Sequence, residues 1–372
     1  MKIKIIFVLS LFLISPLPLL AQEHYKHKED SASKRDIAVQ KALEATERGI
    51  AIEETLREIT IELTLEYGFA AGGKQGFELL DSQGRLASKL TYPTKGEMVI
   101  VKGEVGFWPK VFLGGRYGNS NFKKRICSDE DWNMYDPFWP YGSDAYVDYQ
   151  ISKQMSKSKV EFFDINLYYR LLDIDEEELN QRNLFRKEDS KLFDYLVIDN
   201  LALDIFIGYQ YQKSRSRMLD PTIEILRSDE GTEYSAVGLP VDIGLDSFYE
   251  IEYRGPRLGL RAIGSKGKLT TKVGFAYAYL QTKAEGWWNL RNLSFWQKGK
   301  GGSGVDIELE TSYAFNPHLS LGMGFNFIYR HQEKLKMYAE EEGTPWWDGY
   351  QDRIRNANSS IYFPSALLKV IW

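Results

Sequence analysis

From Ile59 onward the chain is apolar at every second position, over runs long enough to cross a bilayer as strands. Ile59, Ile61, Leu63, Leu65, Tyr67 and Phe69 take one side, and Thr60, Glu62, Thr64, Glu66 and Gly68 the other. Successive side chains of a strand point to opposite faces, so this spacing predicts a strand with one apolar and one polar face. Residues 201–211, 273–279, 305–315 and 319–329 repeat the pattern, with Asp204, Gln210, Lys272, Asp306, Glu308 and Glu310 on the polar side. Strands of soluble domains average about five or six residues, whereas a tilted membrane strand needs about 9–11. Carboxylates and glycines on the polar face suit a wet lumen. The expectation is an all-β chain, a ten-stranded antiparallel transmembrane β-barrel, with strands near 58–80, 85–107, 110–118, 147–171, 200–217, 248–264, 269–284, 303–316, 318–334 and 358–372.

The connections alternate in length, as they do in outer-membrane barrels with short periplasmic turns and long extracellular loops. Trp108-Pro109-Lys110, residues 265–268 and Asn316-Pro317-His318 read as tight turns; residues 119–146, 219–247, 286–302 and 336–356 read as long outer loops. Gly255-Pro256 interrupts the alternation of the sixth strand, where a bulge is expected. Residues 173–199 form an insertion on the periplasmic side, opening on the acidic run 173–178 and expected as a short helix or flap. The chain ends Leu367-Leu368-Lys369-Val370-Ile371-Trp372, with Trp372, Val370, Leu368 and Ala366 on one face; a last strand ending on an aromatic residue resembles the assembly signal of bacterial outer-membrane proteins.

Ahead of the strands, Lys2 and Lys4 precede an apolar stretch from Ile5 to Leu20, and Leu19-Leu20-Ala21 before Gln22 has the form of an export cleavage site. Pro16 and Pro18 break the run, which is short for a membrane helix, and no cysteine follows the cleavage site as a lipoprotein would require. Residues 1–21 are therefore expected as a signal peptide, 22–57 as a polar segment with a short amphipathic helix, and 58–372 as the barrel. Charged residues make up 27% of the chain, which looks soluble; a barrel, however, hides its apolar residues in alternation and reads as polar on average. Aromatic residues at 14% suit the girdles of such a barrel and equally a secreted β-sandwich, so the strand lengths decide.

A single cysteine, Cys127, excludes an internal disulfide and a cysteine-based zinc site. Four histidines, His24, His27, His318 and His331, are too few and too scattered for a histidine-rich metal site. A net charge of −5 argues against a nucleic-acid partner. Neither cofactor nor metal is expected.

The second outer loop carries Ser128-Asp129-Glu130-Asp131-Trp132. Carboxylates at i and i+2 lie close enough to share a water, and the charge of one sets the pKa of the other, so that one can act as a base. An acidic exposed loop is more often simply solvated. The loop resembles the Asp-x-Asp-Trp loop of the omptins, ten-stranded outer-membrane proteases of Gram-negative bacteria. Ile100-Val101-Lys102-Gly103, Asp164-Ile165-Asn166-Leu167, Gly208-Tyr209-Gln210 and Pro256-Arg257-Leu258-Gly259-Leu260 resemble other omptin stretches, in the same order. In omptins the Asp pair faces an Asp-x-His pair from the fourth outer loop, and the histidine accepts the proton of the attacking water. The corresponding segment here, Glu285-Gly286-Trp287-Trp288-Asn289-Leu290-Arg291, has no histidine; Glu285 stands where one carboxylate would, and Gln75 stands for an inward glutamate of the first strand. By alternation His331 faces lipid, and His318 sits in a tight turn on the wrong side.

The resemblance thus implies the omptin fold with half of the omptin machinery. The leading expectation is a monomeric outer-membrane surface barrel without omptin protease activity, its loops meeting an extracellular protein or peptide. The rivals are an omptin-type endopeptidase using Asp129, Asp131 and Glu285, and a small porin. Lys123, Lys124 and Arg125 are candidates for pairing with lipopolysaccharide phosphates. Trp287, Trp288, Phe295 and Trp296, with Trp346 and Trp347, are expected to pack on the rim or to stack on a sugar or peptide. Inward Glu62, Glu66, Asp306, Glu308 and Glu310 against Lys102, Arg116, Arg170 and Lys272 predict a lumen largely filled by ion pairs.

Overall fold

Alternation becomes strand pairing throughout the computed structural model, which describes residues 59–80, 83–136, 145–175, 198–229, 232–235, 244–289, 292–341, 344–346 and 354–372. The expected signal peptide, the polar segment at 22–57 and nearly all of the 173–199 insertion lie outside these residues. The strands are β1 (Thr60–Ala70), β2 (Lys74–Leu80), β3 (Leu86–Pro93), β4 (Gly96–Trp108), β5 (Val111–Asp136), β6 (Ala145–Ile174) and β7 (Asn200–Asp229). They continue as β8 (Thr232–Ser235), β9 (Asp246–Lys266), β10 (Leu269–Trp288), β11 (Leu293–Asn316), β12 (Leu319–Glu341), β13 (Thr344–Trp346) and β14 (Ile354–Ile371).

Each strand pairs antiparallel with its neighbours, and β14 closes the ring by pairing with both β12 and β1. Both β1 and β2 pair with β14, and both β3 and β4 with β5, so each couple forms one stave of the wall. With β8 and β13 as short partners of β7 and β12, the ring has ten staves, as expected from the sequence. The breaks in the first two staves fall side by side. Thr94 donates its N–H to Gly73 O at 3.1 Å and its hydroxyl to Ser360 O at 2.7 Å. Gly73 has φ +134°, and a Cβ there would lie 2.1 Å from Ser360 O, so this junction requires glycine.

Tight turns at Pro109-Lys110, Gly267-Lys268 and Pro317-His318 share one end of the ring. On the ten or so residues of each stave nearest that end, apolar side chains face outward: Leu63, Val101, Ile165, Ile207, Leu260, Phe275 and Leu321 are all exposed. Aromatic side chains border this belt on both sides, with Trp108, Tyr169, Phe315 and Trp372 toward the tight turns and Tyr117, Phe163, Tyr279 and Tyr362 away from them. Inside the belt the lumen is polar.

Beyond the belt the strands continue, and their two faces exchange character. Along β9, Leu258 and Leu260 point outward with Arg257 and Arg261 buried inside; farther along, Tyr249, Ile251 and Tyr253 are buried inside with Glu252 and Arg254 outward. The expected outer loops are consequently shorter than the sequence suggested: β5 runs to Asp136, β7 to Asp229, β10 to Trp288 and β12 to Glu341. Ladder hydrogen bonds extend the wall as long as one face can be buried. The bulge expected at Gly255-Pro256 is absent. Pairing with β7 is continuous there, and pairing with β10 resumes in the same register, Ala278 with Arg257 and Gln281 with Arg254. What interrupted the pattern was the exchange of faces at this level.

Candidate functional site

Asp129 and Asp131 lie in the extended part of β5, opposite Leu90 and Ser88 of β3. Cross-strand partners share a face, and Leu90 is buried in the lumen, so both carboxylates turn inward. Ser88 Oγ donates to Asp129 Oδ1 at 3.5 Å. Glu285 is not with them. It sits on β10 between the inward Ala284 and Gly286 and is exposed on the outer surface, paired across the ladder with Glu250 and Trp296. The expected three-carboxylate site is therefore not assembled: the period of two that turns Ala284 inward turns Glu285 out.

Beside the Asp pair is an apolar core that the alternation did not reveal. Phe77, Leu90, Tyr92, Cys127, Met218, Tyr249, Ile251, Tyr253, Leu280, Phe295, Leu335, Met337 and Ile354 form one buried cluster, drawn, among the described residues, from every stave but that of β6. Phe77 and Tyr249 have ring centroids 4.7 Å apart, Tyr249 and Phe295 6.2 Å, and Trp288 and Phe295 5.5 Å. The Tyr249 hydroxyl donates to Gln297 Oε1 at 3.1 Å. Burial pushes the Cys127 thiol up to about 12, with the Asp129 carboxylate adding to the shift. Burial likewise raises the Tyr92 hydroxyl, followed by the charges of Cys127 and Asp129. No imidazole reaches this region among the described residues. His331 stacks on Tyr329 on the outer face, centroids 6.2 Å apart, and His318 sits in its tight turn with Nδ1 3.0 Å from Ile371 O. Gln75 is buried between Tyr92 and Ser359 on the neighbouring strands.

Nearer the tight turns the lumen is filled by charge, as the inward residues predicted. Lys102 binds Glu66, Glu308 and Glu310. These three carboxylates have the spacing of a metal site, but the Lys102 ammonium pairs with each of them. Arg116 pairs with Asp164 and Asp306, and Arg330 with Asp306. Arg257 reaches Asp164 at 2.7 Å and Asp306 at 3.3 Å. Arg261 reaches Asp204 at 2.7 Å and also pairs with Glu104. Arg170 is 2.9 Å from Asp204, and Glu62 is 2.7 Å from Lys272 and 3.1 Å from Lys369. Eight carboxylates thus meet eight cations, and many pairs join staves on opposite sides of the ring, such as Arg116 on β5 with Asp306 on β11. The cavity left among them measures ≈ 70 Å³, room for a few waters.

The remaining expectations divide. Phe295 packs in the apolar core and Trp288 against it, while Trp296 is exposed on the outside. Arg125 donates to Lys95 O at 3.4 Å; the side chains of Lys123, Lys124 and Trp346, and all of Trp347, lie outside the described residues.

A family model described as Pom, Protochlamydia outer membrane protein, matches residues 192–345. The outer-membrane protease OmpT of Escherichia coli is structurally similar, with a TM-score of 0.62 at 14% identity over 84% of this chain and 97% of that one. The toluene transporter TodX of Pseudomonas putida and a FadL homologue of Pseudomonas aeruginosa align with TM-scores of only 0.20 and 0.24, at 9% and 8% identity, over 83% and 84% of this chain and 89% and 90% of theirs. No curated protein matches by sequence. The ten-stave ring is therefore an OmpT-like β-barrel, and the family match and the fold together support an outer-membrane protein.

Proposed function

We propose that this chain is an integral outer-membrane barrel sealed along its lumen, a surface protein that neither hydrolyses peptides in the omptin manner nor conducts as a porin. The observation that carries this reading is the aromatic core of Phe77, Tyr249 and Phe295, which lies at the level of Asp129, since Phe77 and Asp129 both pair with Leu90. Glu285 on the outer wall is in no position to assist them. Water activation also needs a group that accepts a proton near neutrality, and the Tyr92 hydroxyl and Cys127 thiol, both of which feel the Asp129 charge, are shifted the wrong way.

The apolar belt with its aromatic borders matches in width what a bilayer core requires. The outer-membrane lipid, including lipopolysaccharide, is then the surrounding partner, and the wall beyond the belt stands outside the membrane and offers its rim loops to extracellular proteins or peptides. A cleavage assay tests the reading. The refolded chain is offered a quenched peptide library with dibasic sites, beside an Asp129→Asn/Asp131→Asn variant. The expected result is no turnover by either; turnover by the wild type that the double variant loses would replace this reading with the endopeptidase one.

A further inference from the structure

On the outer face of β9 to β12, directly beyond the apolar belt, the ladder lines up two rows of side chains of opposite character. Nearer the belt, Lys283, Lys298 and Lys336 stand opposite one another on three adjacent strands, Lys283 paired with Lys298 and Lys298 with Lys336, while Glu252 of β9 ends the row opposite Lys283. Lys300 and Lys334 flank them. Two residues farther out, Glu250, Glu285, Trp296 and Tyr338 form the next row, Glu285 paired with both Glu250 and Trp296. Like charges directly opposite in a ladder repel. Both rows nonetheless place them so, and among the described residues no ion pair within 4 Å joins Lys283, Lys298, Lys336 or Glu285 to any protein group, whereas Glu250 has Lys213 at 2.5 Å. Glu252 offsets Lys283 alone, so a ligand that brings a negative charge to Lys298 and Lys336 and a positive one to Glu285 would stabilise both rows.

Two adjoining grooves mark the place. One of ≈ 430 Å³ is lined by the lysines, and one of ≈ 150 Å³ by Glu250, Glu252, Glu285 and Trp296; Lys283 and Lys298 line both. We propose that this face binds a phosphorylated amine, the phosphate on Lys283, Lys298 and Lys336 and the ammonium between Glu285 and the exposed ring of Trp296. Successive same-face positions of a strand lie about 6.7 Å apart, a gap that a phosphate and an amine joined through two carbons can bridge. Charge-assisted hydrogen bonds hold the phosphate; the carboxylate and the indole face hold the cation. The source we favour is a phosphatidylethanolamine headgroup, because the lysine row adjoins the belt that the preceding section assigns to the bilayer, and the inference rests on that assignment.

Native mass spectrometry of the refolded full chain in detergent tests it, with phosphatidylethanolamine, phosphatidylglycerol and soluble O-phosphoethanolamine as probes. Bulk electrostatics favour phosphatidylglycerol, which carries a net negative charge; the two-row site favours phosphatidylethanolamine. The expected result is preferential retention of phosphatidylethanolamine, lowered about tenfold in Glu285→Gln, with both lipids weakened in Lys283→Gln/Lys298→Gln. Competition by O-phosphoethanolamine would assign the site to the free headgroup, and phosphatidylethanolamine binding that resists it to the lipid; either upholds the two-row recognition. Equal or tighter binding of phosphatidylglycerol, or an unchanged preference in Glu285→Gln, would overturn it. Heat-modifiable gel migration, read on the same samples, reports separately whether the barrel itself is formed.

Discussion

Gln212 Nε2 donates to Ser359 Oγ over 2.9 Å, although β7 and β14 stand five staves apart in a ring of ten. A direct hydrogen bond across the full width brings side chains of opposite walls into contact at this level. Below it the charged side chains of opposite walls meet, Arg116 with Asp306 and Lys102 with Glu310. Above it the rings of Phe77, Tyr249 and Phe295 close the far half.

The charged layer makes Asp306 a sensitive position, because Arg116, Arg257 and Arg330 all converge on it. Removing one partner of a buried ion pair leaves uncompensated charge and costs about 3–5 kcal/mol. Asp306→Ala should therefore lower the temperature at which the barrel loses its compact migration on gels. Asp306→Asn, which keeps hydrogen-bonding capacity, should fall between. A variant as heat-resistant as the wild type would mean that the network contributes nothing to holding the wall.

Gly255 faces the lumen side of β9, and a Cβ placed there would lie 1.9 Å from Tyr279 O. Backbone cannot yield to this as a flexible side chain could. Gly255→Ala should sharply reduce the refolded fraction, whereas Gly103→Ala, with open space at its Cβ, should refold normally. Refolding yields measured side by side check the contrast; equal yields would contradict it.

The belt was legible in the sequence because its outward residues, such as Ile61 to Phe69 and Leu319 to Tyr329, are uniformly apolar and strictly two apart. The ion-pair lumen was legible for the same reason, since Glu62, Lys102 and Lys272 occupy the complementary positions. The far half was not. There the inward positions are apolar and the outward ones charged, so Tyr249, Ile251 and Tyr253 carry the hydrophobicity on the opposite parity from Leu258 and Leu260. A reversal of parity at Gly255-Pro256 looks like a bulge when only one environment is assumed. Recognising it as a change from an apolar outer face to an apolar inner one would have revealed the apolar core and turned Glu285 away from Asp129.

Cys127 and its neighbours give the far half an alkaline limit. The thiol's ordinary value of 9.0 is pushed up to about 12, and the Tyr92 and Tyr249 hydroxyls are raised as well, all by burial first. Below pH 9 the thiol is protonated in both folded and unfolded chains. Between about pH 9 and 12 the unfolded chain releases the proton while the folded one retains it, so stability falls as pH rises. The melting temperature should decline across this window and decline less in Cys127→Ala, measured at pH 8 and pH 11 under otherwise equal conditions. Maleimide should leave Cys127 unlabelled in the folded barrel at pH 8, and rapid labelling there would show the core to be open.

The most direct test of a lumen sealed from end to end is conductance. The refolded chain, inserted into a planar bilayer, should give no stable single-channel steps under voltage. A variant with Gln212, Phe77 and Tyr249 all replaced by Ala should show at most brief, low-conductance events, because the ion-pair layer beneath remains intact. Persistent, uniform openings from the wild-type barrel would contradict the sealed lumen and establish the porin reading in its place.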